Sequence, residues 1–364
     1  MTTSPILLIF GAGPNSGQSV SRAFLNRGYK VALAARSVKE SDNTKDQYHY
    51  PSDLTDPNSV VKAFERVNKD LGIPNVVVYN AGALTRTSAE DPLAISISDF
   101  NSTFNVNTVS VLVAAQQAIL GFSKLPKEAS KTFIYTGNIL NEVTMAQLFD
   151  GGVGKAATAH MIEIAAGAYK DKGYKFYYAD ERKPDGSAIF RVNGDAHADQ
   201  FLQLAEAKEQ VYSRIPVPPE NPLSLSLNDF QNSLNLHPTK ANVAAQQAIA
   251  GFDKLPSSAP KTFIYTGNCL NTVANPGILD IGLGKSTAAL IIETAADAYK
   301  DKGYNQVRFY YALKRAPNSA PAIFIDGEAH GKFFLELPEG KTQGHWSQTL
   351  VKGEGYKAFP YKRQ

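Results

Sequence analysis

The octapeptide Lys-Thr-Phe-Ile-Tyr-Thr-Gly-Asn occurs twice in this chain, at Lys131–Asn138 and at Lys261–Asn268. Either a structural unit was duplicated or a functional site was copied, and what surrounds the octapeptide separates the two. "PLAISISDF" (92–100) pairs with "PLSLSLNDF" (222–230), "VAAQQAI" begins at 113 and at 243, and "AYKDKGY" begins at 168 and at 298. Further on the register slips by a few positions, yet "FYYA" and "AIF" recur, and "GDAHADQF" (194–201) answers "GEAHGKFF" (327–334). The first ninety residues have no second copy. The repeated unit reads as helix, strand, helix, strand, strand, which is half a domain rather than a whole one.

The unduplicated part alternates strands with helices, and that order predicts a doubly wound parallel sheet. Ile6–Phe10 is wholly apolar, as a buried parallel strand must be. "GAGPNSGQSV" (Gly11–Val20) follows, then a helix with Val20, Phe24 and Leu25 on one face and Gly28 as its stop. Lys30–Ala35 and Tyr48–Tyr50 read as the next strands, Asp56-Pro57 as a helix cap and first turn, and "NVVVYNAG" (Asn75–Gly82) as the fourth strand and its exit. Gly11, Gly13 and Gly17 lie between a strand and a helix. Such a loop lets backbone N–H groups and a helix N-terminus approach a pyrophosphate. An ordinary strand-to-helix turn is the competing reading.

These motifs together resemble the short-chain dehydrogenase/reductase family over residues 1 to about 211. "GAGPNSG" resembles the family's glycine loop, with Asn15 at its middle glycine, a residue that tolerates left-handed backbone better than most. Asp53-Leu54 matches the pair that contacts adenine, and Asn80-Ala81-Gly82 matches the motif after the fourth strand. The expected fold is therefore Rossmann-like with an appended repeat of its second half. The expected division is a dinucleotide-binding domain over 1–213, a Pro-rich linker over 214–222 ("RIPVPPENP") and a duplicated half-domain over 223–364 without a glycine loop. The residue ending the second strand selects the cofactor. Arg36, followed by Ser37 and Lys39, suits a 2′-phosphate, so NADP is expected ahead of NAD, against a solvated surface arginine as the alternative.

The resemblance implies a catalytic set of Asn, Ser, Tyr and Lys. Here Asn107 matches the asparagine, Asn138 stands at the serine, and Lys155 matches the lysine that binds the nicotinamide ribose. Four residues before Lys155 stands Gly151 where the tyrosine belongs, and glycine cannot donate a proton. The second copy offers His237, Asn268, Ile281 and Lys285 at the same positions, so a second active site is not expected. Three explanations stay open: another donor (Tyr135, His160, a tyrosine from elsewhere, or water relayed by Lys155), an acceptor that needs no acid, or NADP binding without turnover. The expected activity is carbonyl or alkene reduction of a small, largely apolar substrate. The alternatives are a non-catalytic NADP-binding regulatory protein and an interaction module. The repeated Gly-[Asp/Glu]-Ala-His at His197 and His330 could touch a substrate, but a turn carrying a surface imidazole is the expected reading.

Composition narrows the partners. The net charge of +3 with dispersed Lys and Arg gives no nucleic-acid footprint. No run approaches the roughly 20 apolar residues of a membrane span, and no signal peptide is expected. No His/Cys/Asp cluster has metal-ligand spacing. The single cysteine, Cys269, excludes an intramolecular disulfide and suits a reducing, cytoplasmic setting. The helices of the second copy, about 228–253 and 281–303, need apolar partners. Family members dimerise through the corresponding pair, here 97–123 and 151–173. The expectation is an internal pseudo-dimer or a homo-oligomer through those helices, with displacement of the first copy from its sheet, or a fusion of neighbouring reading frames, as the alternatives.

Overall fold

The computed structural model describes residues 4–183, 187–210, 227–234, 238–256, 258–275, 278–300, 307–322, 326–339 and 342–359. The proposed linker 214–222 and His237 lie outside the described residues. The chain divides into two compact units, Met1–Ala83 with Ser102–Ile139 and Thr158–Leu227, and Leu84–Asn101 with Leu140–Ala157 and Asn228–Gln364.

The first unit holds a parallel six-stranded sheet of order β3-β2-β1-β4-β5-β6, with β1 Ile6–Phe10, β2 Lys30–Ala35, β3 Gln47–Pro51, β4 Val76–Tyr79, β5 Thr132–Thr136 and β6 Lys175–Ala179. This is the doubly wound, Rossmann-like sheet that the alternation of elements predicts. Its helices are α1 (Ser16–Asn26), α2 (Pro57–Asp70), α4 (Ser110–Phe122) and α6 (Gly194–Glu206), while α3 (Ile97–Phe104) and α5 (Phe149–Tyr169) each have residues in both units. Asp56 caps α2, its side chain accepting from the Asn58 N–H, with Pro57 at the first turn. Gly28 takes φ +86° just past α1, a left-handed conformation that costs glycine little. One face of the sheet packs Leu7, Ile9, Val31, Val76 and Ile134 under Val20 and Phe24 of α1 and Ala198 and Phe201 of α6.

A row of aromatics crosses the strand ends. Phe10, Tyr79, Tyr135 and Tyr178 are register partners on β1, β4, β5 and β6, with successive ring centroids 5.7, 6.0 and 5.5 Å apart. Each tyrosine hydroxyl reaches past the sheet to a backbone carbonyl: Tyr79 to Val106 at 2.7 Å, Tyr135 to Asn107 at 3.3 Å and Tyr178 to Asn138 at 2.8 Å.

The second unit carries α7 (Leu227–Leu234), α8 (Lys240–Phe252), α9 (Leu279–Tyr299) and α10 (Gly327–Glu336). Its sheet has the order β10-β9-β8-β7, with β7 Lys261–Thr266, β8 Val307–Arg315, β9 Ser347–Val351 and β10 Gly355–Tyr356. The first three run parallel and β10 is antiparallel. Gln246 of α8 donates to the Ile95 carbonyl at 3.0 Å, and the Tyr299 hydroxyl of α9 bonds the Asp91 carboxylate at 2.5 Å.

The repeat explains itself at the octapeptide. A Cβ on Gly137 would lie 2.1 Å from the Tyr178 ring, and one on Gly267 would lie 2.0 Å from the Tyr311 ring. Tyr178 bonds both the N–H and the carbonyl of Asn138, and Tyr311 does the same to Asn268. The Gly-Asn of the octapeptide and the second tyrosine of "FYYA" are thus one clamp between adjacent strands. Both occurrences of the octapeptide therefore pack in the same way. Among the described residues of the first copy no strand follows β6, which corrects the fifth element of the repeat there: Ala188 makes only an isolated bridge to Arg182. "GDAH" opens a helix instead, capped by Asn193, whose side chain accepts from the Asp195 and Ala196 N–H groups.

Candidate functional site

The loop between β1 and α1 is locked to the end of β4. Gly11 has φ +91°, and a Cβ there would fall 2.4 Å from the Ala81 nitrogen. The Asn80 side chain donates to the Gly11 carbonyl at 2.8 Å, and the Asn80 and Ala81 N–H groups both donate to the Phe10 carbonyl. A Cβ on Gly17 would meet the Gly11 carbonyl oxygen at 2.8 Å. These two glycines are required by the chain's own packing. Gly13 is different, because a Cβ there would meet nothing within 4 Å. Gly13 borders open space in front of the first turn of α1. That turn holds no acidic residue and no side-chain cap; its Gln18 N–H donates to the Gly13 carbonyl at 3.1 Å and its Ser19 N–H to the Asn15 carbonyl, and the positive end of the helix favours an anion. Gly82 is exposed beyond Ala81. A dinucleotide pyrophosphate fits this cradle, whose one open position is a glycine.

Asn15 has φ −95°, so it does not use the left-handed backbone expected of it. Its side chain has another task and donates to the Val192 carbonyl at 2.8 Å. Gly194 packs beside it, where a Cβ would lie 2.5 Å from Asn15 Oδ1. Arg36 is exposed just past the end of β2 and has no charged partner among the described residues. Asp53 is exposed and its carboxylate accepts from the Thr55 N–H and hydroxyl at 3.0 and 2.9 Å. Leu54 is buried, and its carbonyl accepts from the Ser110 hydroxyl at 2.8 Å.

Asn107 sits in a π-helical turn, Asn105–Val109, that joins α3 to α4. Such a turn breaks the regular ladder and redirects carbonyls, a common device at functional sites. The Asn107 carbonyl accepts from Thr158 at 2.5 Å and from Tyr135. Its side chain bonds Ala83 and is fully buried. Asn138 is half-buried at the end of β5, its backbone held by Tyr178.

Lys155 and Gly151 are both buried on α5, in the second unit. Before Gly151, the buried Asp150 accepts from the Thr85 and Gly151 N–H groups at 2.8 and 2.7 Å. The alternative donors are poorly suited to giving up a proton. Tyr135 is fully buried and its hydroxyl is pushed up by desolvation. His160 is held neutral by burial, its pKa lowered to about 4. In the second copy Lys285 donates to the Thr266 carbonyl at 3.0 Å and lies 4.9 Å from the centre of the Tyr265 ring. There the corresponding lysine is used inside its own unit.

The sequence reading missed one cluster. His197 is no surface imidazole but 6% exposed, on the first turns of α6. Its Nδ1 lies 3.1 Å from the Ser16 hydroxyl and its Nε2 lies 3.2 Å from the Glu181 carboxylate. The one available signal was "GDAH", whose aspartate and histidine flank a helix start. His330 half-follows it, with Nδ1 2.7 Å from the Asp326 carbonyl.

A family model described as short chain dehydrogenase matches residues 5–173. A curated relative, the short chain dehydrogenase/reductase dmxR12 of Cryptosporiopsis sp. (strain 8999), is 44% identical over 220 residues, which cover 57% of this chain and 89% of the relative. A 3-oxoacyl-[acyl-carrier-protein] reductase of Bos taurus is 30% identical over 24% of this chain and 42% of its own length. Among solved structures, a short-chain dehydrogenase/reductase from Serratia marcescens BCRC 10948 is similar at TM-score 0.47 and 19% identity, over 56% of this chain and 89% of that one. An alcohol dehydrogenase from Thermococcus sibiricus, complexed with 5-hydroxy-NADP, is similar at TM-score 0.46 and 18% identity, over 59% of this chain and all of that one.

Proposed function

The chain belongs to the short-chain dehydrogenase/reductase family of nicotinamide-dependent oxidoreductases, and on that premise we propose that it binds NADP(H) and reduces a small carbonyl or alkene substrate. The observation that carries the proposal is the open Gly13 cradle beside two glycines that packing makes obligatory. Gly11, Gly13, Asn15 and Gly17 would hold the pyrophosphate, with Asn80, Ala81 and Gly82 fixing the loop from behind. Asp53 and Leu54 would border the adenine, and Arg36 would take the 2′-phosphate as a charge-assisted pair. Lys155 would bind the nicotinamide ribose. The bound cofactor would supply hydride. Asn138 would hold the acceptor oxygen through its side-chain amide, and Asn107 would shape the site through the π-helical turn. With Gly151 at the acid's position and both Tyr135 and His160 buried, water is the proton source this reading takes.

The same buried donors favour a second reading, NADP binding without turnover. Retained loop chemistry beside a glycine at residue 151 is what a binding protein of this ancestry would keep. The appended half, 223–364, would serve assembly by offering α8 and α9 as an internal pseudo-dimer, or as a homo-oligomer surface, to the helices of 97–123 and 151–173. Gln246 of α8 and Tyr299 of α9 bond Ile95 and Asp91, which precede the first of those helices. The lone, buried Cys269 fits a cytoplasmic setting.

Fluorescence titration with NADPH and NADH tests the binding claim, with NADPH expected to bind more tightly. Gly151→Tyr then separates the two readings. Enhanced carbonyl reduction marks a site intact but for its acid, and unchanged inactivity with retained binding marks a binding protein.

A further inference from the structure

We propose that Glu181 and His197 form a buried proton relay onto Ser16 that sets how tightly the glycine loop holds a dinucleotide pyrophosphate, an inference that rests on the binding reading above. Three elements meet here. Ser16 opens α1 inside the loop, between Asn15 and Gly17, and is 8% exposed. His197 comes from α6 and Glu181 from the segment after β6. The Glu181 carboxylate also accepts from the Asn193 N–H at 2.9 Å, which fixes it below the imidazole. Phe201 stacks on the ring with centroids 5.4 Å apart.

The direction of the bonds follows from the donors. An ionised carboxylate only accepts, so His197 Nε2 carries a hydrogen toward Glu181. In the neutral ring Nδ1 is then an acceptor, and the Ser16 hydroxyl must give its hydrogen to it. In that state Ser16 has no hydrogen for an incoming phosphate. Protonation of His197 reverses the second bond: Nδ1–H donates to Ser16 Oγ, the hydroxyl hydrogen is released toward the loop, and a positive charge stands one side chain behind the first turn of α1. An anion in the cradle favours this second state, so binding draws a proton onto His197.

The surroundings allow it. Asp180 acts on the ring in the same sense as Glu181 and is paired with Arg182 at 2.6 Å. Asp195 of α6 and Arg22 of α1 are 3.7 Å apart and exposed, and Arg22 is also bonded to Ser19. Burial holds the unliganded ring toward its neutral form, while Glu181 and Asp180 oppose that. The ring is therefore poised for a ligand charge to tip it.

The test is the pH dependence of NADH and NADPH affinity in wild type, His197→Gln and Ser16→Ala. NADH is the cleaner probe, because the 2′-phosphate of NADPH itself titrates near about pH 6. The wild type is expected to bind NADH about tenfold more tightly at about pH 6 than at about pH 8, and both variants less than about twofold. Calorimetry in two buffers of different ionisation enthalpy is expected to show net proton uptake in the wild type alone. The His197 ring resonance is expected to titrate at higher pH with nucleotide bound, a readout that needs no variant. Binding whose pH profile is the same in wild type and His197→Gln, or a His197 titration unmoved by nucleotide, overturns the relay and leaves the binding reading standing. No binding of either nucleotide at any pH overturns both.

Discussion

The side-chain amide of Asn107 closes a ring with the backbone of Ala83: Oδ1 accepts the Ala83 N–H at 3.0 Å and Nδ2 donates to the Ala83 carbonyl at 2.7 Å. Both bonds are backbone-like, and they tie the segment after β4 to the π-helical turn. The side chain is thus committed to the chain itself, and only backbone groups of Asn107 face α5 and β5. Asn107→Ala leaves a buried N–H and carbonyl unpaired and is expected to cost about 2–4 kcal/mol, read by urea denaturation. Asn107→Asp keeps the acceptor but not the donor, so it is expected to lose at least as much.

Gly137 and Tyr178 form the second testable pair. Gly137→Ala drives a methyl into the Tyr178 ring and is expected to destabilise by about 2 kcal/mol or more. Tyr178→Leu loses the clamp on Asn138 and about 1–2 kcal/mol. The double variant is expected to be less destabilised than the sum, because the clash vanishes with the ring. Additive losses would show that the two residues do not share space.

Much of this was legible in the sequence, and for identifiable reasons. β1 and β2 appear where their apolar runs place them, because a strand buried on both faces leaves little choice of residue. Asp56-Pro57 marked the start of α2 because both residues act within one turn of chain. His197 was misread because its environment is made by α6 packing on α1, and that contact joins residues about 180 positions apart, which no local pattern reports. Asn15 was misread likewise, since Val192, which holds its side chain, is equally remote in sequence. The octapeptide could be seen as a repeat but not explained, because the ring that demands its glycine lies on the neighbouring strand.

Acid lability is expected from His160. Its pKa is lowered to about 4 in the folded chain from 6.5, so below 6.5 the unfolded chain binds the extra proton. Stability is full above that value and falls as the pH drops toward 4, by up to about 3 kcal/mol from this residue. His197, also lowered by burial, adds a loss of the same sign. Denaturant midpoints measured from neutral pH downward are expected to fall further in wild type than in His160→Leu. Parallel decline of both would assign the acid loss elsewhere.

Arg36 carries the cofactor preference in this account. Arg36→Glu removes a guanidinium and installs a carboxylate suited to a ribose hydroxyl, so NADPH is expected to weaken by about 10-fold or more while NADH changes little or tightens. Equal effects on both nucleotides would place the 2′-phosphate elsewhere.

The glycine loop as a dinucleotide cradle is tested most directly by NADPH titration of Gly13→Val beside the wild type. A Cβ at Gly13 has free space around it, so the variant is expected to fold with unchanged thermal stability. The side chain then fills the space proposed for the pyrophosphate, and the account predicts at least about 30-fold weaker binding, roughly 2 kcal/mol. A folded Gly13→Val protein that binds NADPH as tightly as wild type would contradict it.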